Sequence, residues 1–308
     1  MRILLTGTTG QLGTQIAANW QLEPELICSS RTSQGEGAGS ICLDLSKASG
    51  VKPILDKFQP AIIINTAAFT AVDSAEDCPD KVRQINTQAP AEMANWCAAS
   101  DALLVQLSTD YVFDGQSSRP YRESDPTNPL NVYGASKLEA EQRIKASGCN
   151  AIILRTSWIY SGRGNNFLLT MLAAARSGRQ LSVVNDQIAC PTYAGSLAKV
   201  IETLCGRHLA GHPVEGYSLF HYADNRSRSW YDFALDIFTQ AAVGSLLDKV
   251  PEVRPVGTDD FPTNAVRPRY SVLDCGRLKL DTGIEQADYS QSLMACLNSL
   301  ESAMECTE

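Results

Sequence analysis

Arg2-Ile3-Leu4-Leu5-Thr6-Gly7-Thr8-Thr9-Gly10-Gln11-Leu12-Gly13 stands at the head of a 308-residue chain. Its first half is a short apolar run, the pattern of a buried strand, and residues 14–20 continue as a helix. Between them lie three glycines spaced three apart. Glycine permits a tight turn and lets another group come close to the backbone. The helix that follows offers free N–H groups and the positive end of its dipole. Strand, glycine turn and helix together make a site for a pyrophosphate, as in dinucleotide-binding folds. The spacing G-x-x-G-x-x-G differs from the usual G-x-G-x-x-G, so the inference rests on the strand–turn–helix context as much as on the glycines.

Outward from this stretch, strand and helix signals alternate. Strands are predicted over 26–30, 41–45, 61–68, 102–109 and 151–155, with helices over 52–58, 86–100 and 133–146 between them. Such alternation builds a parallel sheet covered on both faces, so the fold class is α/β, a Rossmann-type doubly wound sheet. The second half is less regular. Helices are predicted over 167–177, 192–205 (opened by Pro191), 229–240 (capped by Ser229) and 290–302, with strands over 181–184 and 217–222. Prolines 251, 255, 262 and 268 mark an irregular region. The expected division is a dinucleotide-binding domain of 1–157 with about 178–223, and a smaller mixed α/β substrate domain of about 158–177 with 224–308, a cleft lying between them.

Composition bounds the function. Hydrophobic residues at 44% and charged residues at 19% are ordinary for a globular enzyme. A net charge of −8 without a Lys/Arg cluster argues against a nucleic-acid surface. No apolar stretch has transmembrane length, and a strand predicted from residue 2 leaves no room for a signal peptide, so a cytoplasmic protein is expected. The ten cysteines include no C-x-x-C pair and read as reduced thiols. His208 and His212 have metal-like spacing, but Gly211 and Pro213 make a solvated loop the better reading, and no metal site is predicted.

The chemistry is carried by Tyr133-Gly134-Ala135-Ser136-Lys137, with Ser108-Thr109-Asp110-Tyr111 upstream. Tyr133 and Lys137 lie one helical turn apart on one face. An ammonium beside a phenol favours the phenolate, which predicts a Tyr133 pKa drawn down from about 10. Tyr133 would then serve as proton donor or acceptor, and Thr109, at a strand end, would offer a hydroxyl to the same reacting oxygen.

These residues resemble the extended short-chain dehydrogenases and, within them, the dTDP-4-dehydrorhamnose reductase family. The resemblance rests on residues 108–115, 133–139 and Arg155-Thr156-Ser157-Trp158-Ile159-Tyr160. It also rests on residues 65–73, Gly164-Asn165-Asn166-Phe167, Asp186-Gln187-Ile188, Pro191-Thr192-Tyr193 and 267–273. Similarity thus runs along nearly the whole chain, in consistent order. It implies reduction of the C4 ketone of a dTDP-4-dehydro-sugar by a nicotinamide hydride, with Tyr133 giving the proton. Lys137 would hold the nicotinamide ribose and tune Tyr133, and Thr109 would bind the new alkoxide. The cofactor set would be Gly7, Gly10, Gln11, Leu12, Gly13, Arg31, Asp44, Leu45, Ala67, Ala68, Phe69, Tyr133 and Lys137. Thr109, Asp110 and Trp158 would touch the nucleotide sugar.

The second strand ends in Ser29-Ser30-Arg31, with no acid until Glu36. An acid there binds a ribose 2′-OH, whereas an Arg accommodates a 2′-phosphate, so NADPH is expected over NADH, which remains possible. Some family members bind Mg2+ through Glu residues at a dimer interface. Gln15 stands at one such position and is a poor ligand for a hard cation, so a Mg2+-linked dimer is not expected. Monomer and homodimer both stay open. Cys190 and Tyr289 are departures from the family pattern and read as structural. Alternative readings are another nucleotide-sugar dehydrogenase or epimerase, a non-catalytic regulatory subunit like that of methionine adenosyltransferase, and an NADP(H)-sensing module.

Overall fold

The computed structural model describes residues 1–22, 25–32, 41–178 and 180–305. Glu36 and the rest of 33–40 therefore lie outside the described residues, as does Cys306. In chain order the main elements are β1 (Arg2–Thr6), α1 (Gln11–Asn19), β2 (Glu25–Ser30), β3 (Ile41–Cys42), α2 (Val51–Phe58), β4 (Ile62–Asn65), α3 (Ala89–Ser100) and β5 (Leu103–Thr109). There follow α4 (Val132–Ser147), β6 (Asn150–Thr156), α5 (Phe167–Arg176), α6 (Ala194–Leu209), β7 (Tyr217–His221), α7 (Trp230–Val243) and α8 (Tyr289–Glu305).

The seven strands form one sheet in the order β7-β6-β5-β4-β1-β2-β3, every pair parallel. Strand alternation divides its side chains between two cores. Ile3, Leu5, Ile62 and Ile64 pack with Leu12 and Ile16 of α1 and Leu197 and Ile201 of α6. Leu4, Ile63, Leu104 and Ile153 pack with Leu55 of α2, Met93 of α3 and Ile144 of α4. Apolar runs without polar gaps are what a sheet buried on both faces requires. The doubly wound α/β fold expected from the sequence is the fold observed.

Chain order reverses between β1 and β4, and there the carboxyl ends of the central strands are stitched together. Thr6 donates to Asn65, and Asn65 Nδ2 donates to Gln106 Oε1 at 2.7 Å. A crevice at such a switch point is where doubly wound sheets bind ligands.

A third core lies beyond the sheet. Leu168 and Leu172 of α5, Phe233, Ile237 and Phe238 of α7, and Leu293 and Leu297 of α8 pack with Tyr160. α7 starts cleanly because Ser229 and Asp232 form a capping box.

Several element boundaries differ from the sequence reading. The strand predicted over 41–45 stops at Cys42, because Asp44 Oδ1 accepts the Ser46 N–H and turns the chain. The helix predicted over 192–205 begins only at Ala194; Thr192 and Tyr193 first pair in parallel with Ile159 and Tyr160. The region of prolines is not wholly irregular, since Val253–Val256 forms a strand beside Leu181–Val184. His208 lies in α6 rather than in a loop, and its Nδ1 accepts the Val214 N–H at 3.1 Å. Tyr289 opens α8 and donates to Asp236 Oδ2 at 2.9 Å. Among the described residues no helix is long and apolar enough to cross a membrane.

Asp224 is fully buried just after β7, its Oδ2 accepting the Tyr193 N–H at 3.2 Å, and burial pushes its carboxyl up to about 7. Between pH of about 4 and about 7 the unfolded chain gives up this proton while the folded chain keeps it, so stability falls as pH rises through that window. Asp224→Asn is expected to raise Tm by several degrees at pH 8, with the gain shrinking toward pH 4. Calorimetric scans of both proteins across that range check this.

Candidate active site

The cleft above the switch point encloses about 680 Å³. Its floor is the glycine turn. Gly7 has φ +73°, and a Cβ there would sit 2.7 Å from the Ala67 nitrogen. A Cβ on Gly13 would overlap the Gly7 carbonyl, so α1 can rise this close to β1 only without a side chain. No side chain caps α1, whose N-cap is Gly10. Its first N–H groups lack intrahelical partners and face the cleft floor lined by Gly10, Gln11 and Leu12. A cradle of this kind fits a pyrophosphate.

Arg31, Asp44 and Leu45 line one end of the same cleft, and Ala67 and Ala68 its middle. Arg31 helps hold the Asp44 carboxyl below its ordinary range, after the hydrogen bonds from Ser46. Ser29, Ser30, Arg31 and Thr32 contain no acid, so a cation and not a carboxylate stands at the end of β2. Phe69 is the one predicted site residue that does not line the cleft. Its N–H donates to Asn86 Oδ1 at 2.7 Å, its carbonyl accepts from Asn86 Nδ2 at 3.0 Å, and its ring lies near Lys81.

Thr109, Asp110, Tyr133, Lys137 and Trp158 line the remaining wall, together with Trp230 and Arg267. Thr109 ends β5; its Oγ1 accepts the Tyr111 N–H and donates to Asp110 Oδ1, each at 3.1 Å. The Asp110 carboxyl also accepts from Ser271, and burial pushes it up to about 7. Tyr133 and Lys137 share a face of α4, which Asn131 caps by accepting the Gly134 N–H at 2.8 Å. The Tyr133 ring meets Tyr111 edge-on, centroids 6.1 Å apart.

Tyr133 departs from the expectation of a lowered pKa. Desolvation pushes its phenol well above the ordinary value; Asp110 and Tyr111 act in the same direction and the Thr109 hydroxyl opposes them. Burial is the reason, and Lys137 is subject to it as well. That side chain is itself buried, which draws its pKa down to about 8, and the opposite charge of Glu141 partly restores it. Glu141 in turn is gripped by Arg155 through two bonds of 2.9 and 2.7 Å and accepts from Ser108. The ammonium is balanced from behind by Glu141, and burial dominates at Tyr133. Tyr133 therefore rests as a protonated acid.

Two cleft residues carried no local signal. Arg267 reaches the wall from a distant segment and pairs with Asp73 at 2.5 Å. Trp230 stacks on Trp158, ring centroids 3.4 Å apart. An Arg-Pro pair and a Trp after a Ser cap were visible in the sequence, but neither spacing points to a cleft.

Comparison with known proteins follows the same lines. The family described as RmlD substrate binding domain matches residues 1–302. The dTDP-4-dehydrorhamnose reductase of Aggregatibacter actinomycetemcomitans is 37% identical, over 95% of this chain and 97% of its own. The crystal structure of a dTDP-4-dehydrorhamnose reductase from Clostridium acetobutylicum superposes with TM-score 0.87 at 35% identity, covering 98% of this chain and 100% of that one. That of Bacillus anthracis, in complex with NADP, gives TM-score 0.86 at 33% identity over 97% and 99%. A UDP-glucose 4-epimerase from Thermus thermophilus shares the fold alone, at 18% identity. With likeness of this degree running from one end to the other, and with the glycine turn and the Tyr–Lys helix meeting in one cleft, the chain belongs to the dTDP-4-dehydrorhamnose reductase family.

Proposed function

We propose that this protein reduces the C4 ketone of dTDP-4-dehydro-L-rhamnose to dTDP-L-rhamnose with NADPH. The observation that carries the reading is the meeting, in one cleft, of the uncapped glycine cradle with Thr109, Tyr133 and Lys137. The Bacillus anthracis relative crystallised with NADP supports the cofactor.

Gly7, Gly10, Gln11, Leu12 and Gly13 would hold the cofactor pyrophosphate on backbone N–H groups. Asp44 and Leu45 would flank the adenine and Ala67 and Ala68 the nicotinamide half, while Arg31 would take the 2′-phosphate. When bound, the cofactor supplies the hydride. Tyr133 then gives its proton to the oxygen that gains negative charge, and the Thr109 hydroxyl donates to the same oxygen. Lys137 would hold the ribose hydroxyls, its charge sustained by Glu141. Asp110 and Trp158 orient the nucleotide sugar. The sheet and its two cores would be the cofactor unit, expected over 1–157 with about 178–223; of the latter stretch α6 and β7 pack on the sheet, whereas Leu181 and Val183 sit in the third core. The third core supports a smaller substrate unit of about 158–177 with 224–308. The described cysteines are free thiols, which suits a reducing cytoplasm.

The test is cofactor oxidation in the presence of dTDP-4-dehydro-L-rhamnose. Turnover is expected, with kcat/KM higher for NADPH than for NADH. Equal or reversed values would remove the role given to Arg31, and no turnover with either would remove the proposed reaction.

A further inference from the structure

Trp158 follows β6 with φ of +45°, in the left-handed region that L side chains rarely adopt. A residue persists there only where its surroundings over-determine it. Its carbonyl accepts the Thr192 N–H at 3.2 Å, which fixes the main chain. Its indole lies flat on that of Trp230, centroids 3.4 Å apart and planes within 7°.

Trp230 is itself held. It is the first residue of α7, directly after the Ser229 cap. Its Nε1–H donates to Gln187 Oε1 at 3.2 Å, and Gln187 Nε2 donates to Thr258 Oγ1 at 3.1 Å. The Phe167 ring, at the start of α5, packs against it at 4.6 Å. Both tryptophans are only half-buried and both line the cleft. A pair serving the core alone would be enclosed. This one lines the same cleft as Thr109 and Tyr133.

We propose that Trp230 is a positioning residue: it sets the plane of the Trp158 indole, on a main chain held by Thr192, so that the indole is pre-organised against the nucleotide sugar. The inference rests on the reading of the cleft as a sugar-nucleotide reductase site. A contact that must be held to within a fraction of an ångström loses much of its effect when its support is removed.

The test is a double-mutant cycle on the full chain, using Trp158→Leu, Trp230→Leu and the double variant. Trp230→Leu is expected to raise KM for the sugar nucleotide roughly tenfold, with the Kd for NADPH changed less than twofold. In the Trp158→Leu background the same change should add almost nothing, and Trp230→Phe should restore part of the loss. Additive effects of the two substitutions, an unchanged KM, or an equal loss of NADPH affinity would each overturn the proposal.

A wild-type protein without turnover would count against the assigned reaction. The positioning role is then decided by acrylamide quenching of tryptophan fluorescence. Quenching is expected to rise in Trp230→Leu over Trp230→Phe, and that rise to vanish once Trp158 is also Phe. Equal quenching in the two Trp230 variants, or a rise that survives Trp158→Phe, overturns the role.

Discussion

Tyr133→Phe is expected to cut turnover roughly 10²- to 10⁴-fold, the range that a positioned proton donor contributes, while NADPH binding and Tm stay close to wild type. Tyr133 lines the cleft and belongs to none of the packed cores, so loss of its hydroxyl leaves no core cavity. The pH dependence separates its role from that of Lys137. Burial holds the Tyr133 phenol above its ordinary pKa, and ionisation of Asp110 pushes it further up, so the acid form persists throughout neutral pH. The Lys137 ammonium, drawn down to about 8, loses its charge as pH rises through that value. Turnover is therefore expected to fall on the alkaline side of about pH 8, and Lys137→Met to lower the plateau and remove that limb. Steady-state rates from pH 6 to 10, with NADPH affinity measured by fluorescence, decide the matter. Tyr133→Phe with more than a tenth of wild-type kcat would remove Tyr133 as the acid.

Gly13→Val is expected to have the largest structural effect. Its Cβ would overlap the Gly7 carbonyl and press on Thr8 Cα, and all of these are backbone atoms that no rotamer change can move aside. α1 would have to slide away from β1, carrying the N–H groups of the cradle with it. Overpacking of this kind costs about 1–3 kcal/mol. For a chain of this size that corresponds to a Tm lower by roughly 2–5 °C. NADPH affinity should fall by about 100-fold, because displacement by an ångström disrupts several hydrogen bonds at once. Gly50→Ala is the control, since nothing lies within 4 Å of a Cβ there. Thermal scans and an NADPH titration of the three proteins test this. A Gly13→Val chain that binds NADPH like wild type would remove the cradle assignment.

The central sheet was legible because β-strands buried on both faces leave uninterrupted apolar runs, as in Ile62-Ile63-Ile64. α4 was equally legible, since Tyr133 and Lys137 are separated by one turn whatever surrounds them. The short strands were harder to read. Thr192–Tyr193 and Val253–Val256 exist because a partner strand lies alongside, and pairs of two to four residues carry no periodicity of their own. Phe69 was assigned to the cofactor site by the family resemblance alone, and only the structure shows that a side chain 17 positions away, Asn86, binds both its backbone groups.

The sequence by itself determined the doubly wound fold, the glycine turn between β1 and α1, and the Tyr133–Lys137 face. Each depends only on local spacing, that is on strand alternation, helical pitch and the missing side chain of glycine. Only the tertiary structure decided that Trp230 stacks on Trp158, that Arg267 reaches the cleft to pair with Asp73, and that Tyr133 is pushed up and not down. Those outcomes depend on contacts between segments tens to nearly two hundred residues apart, and on how far each charge is removed from water. Neither quantity leaves a pattern along the chain.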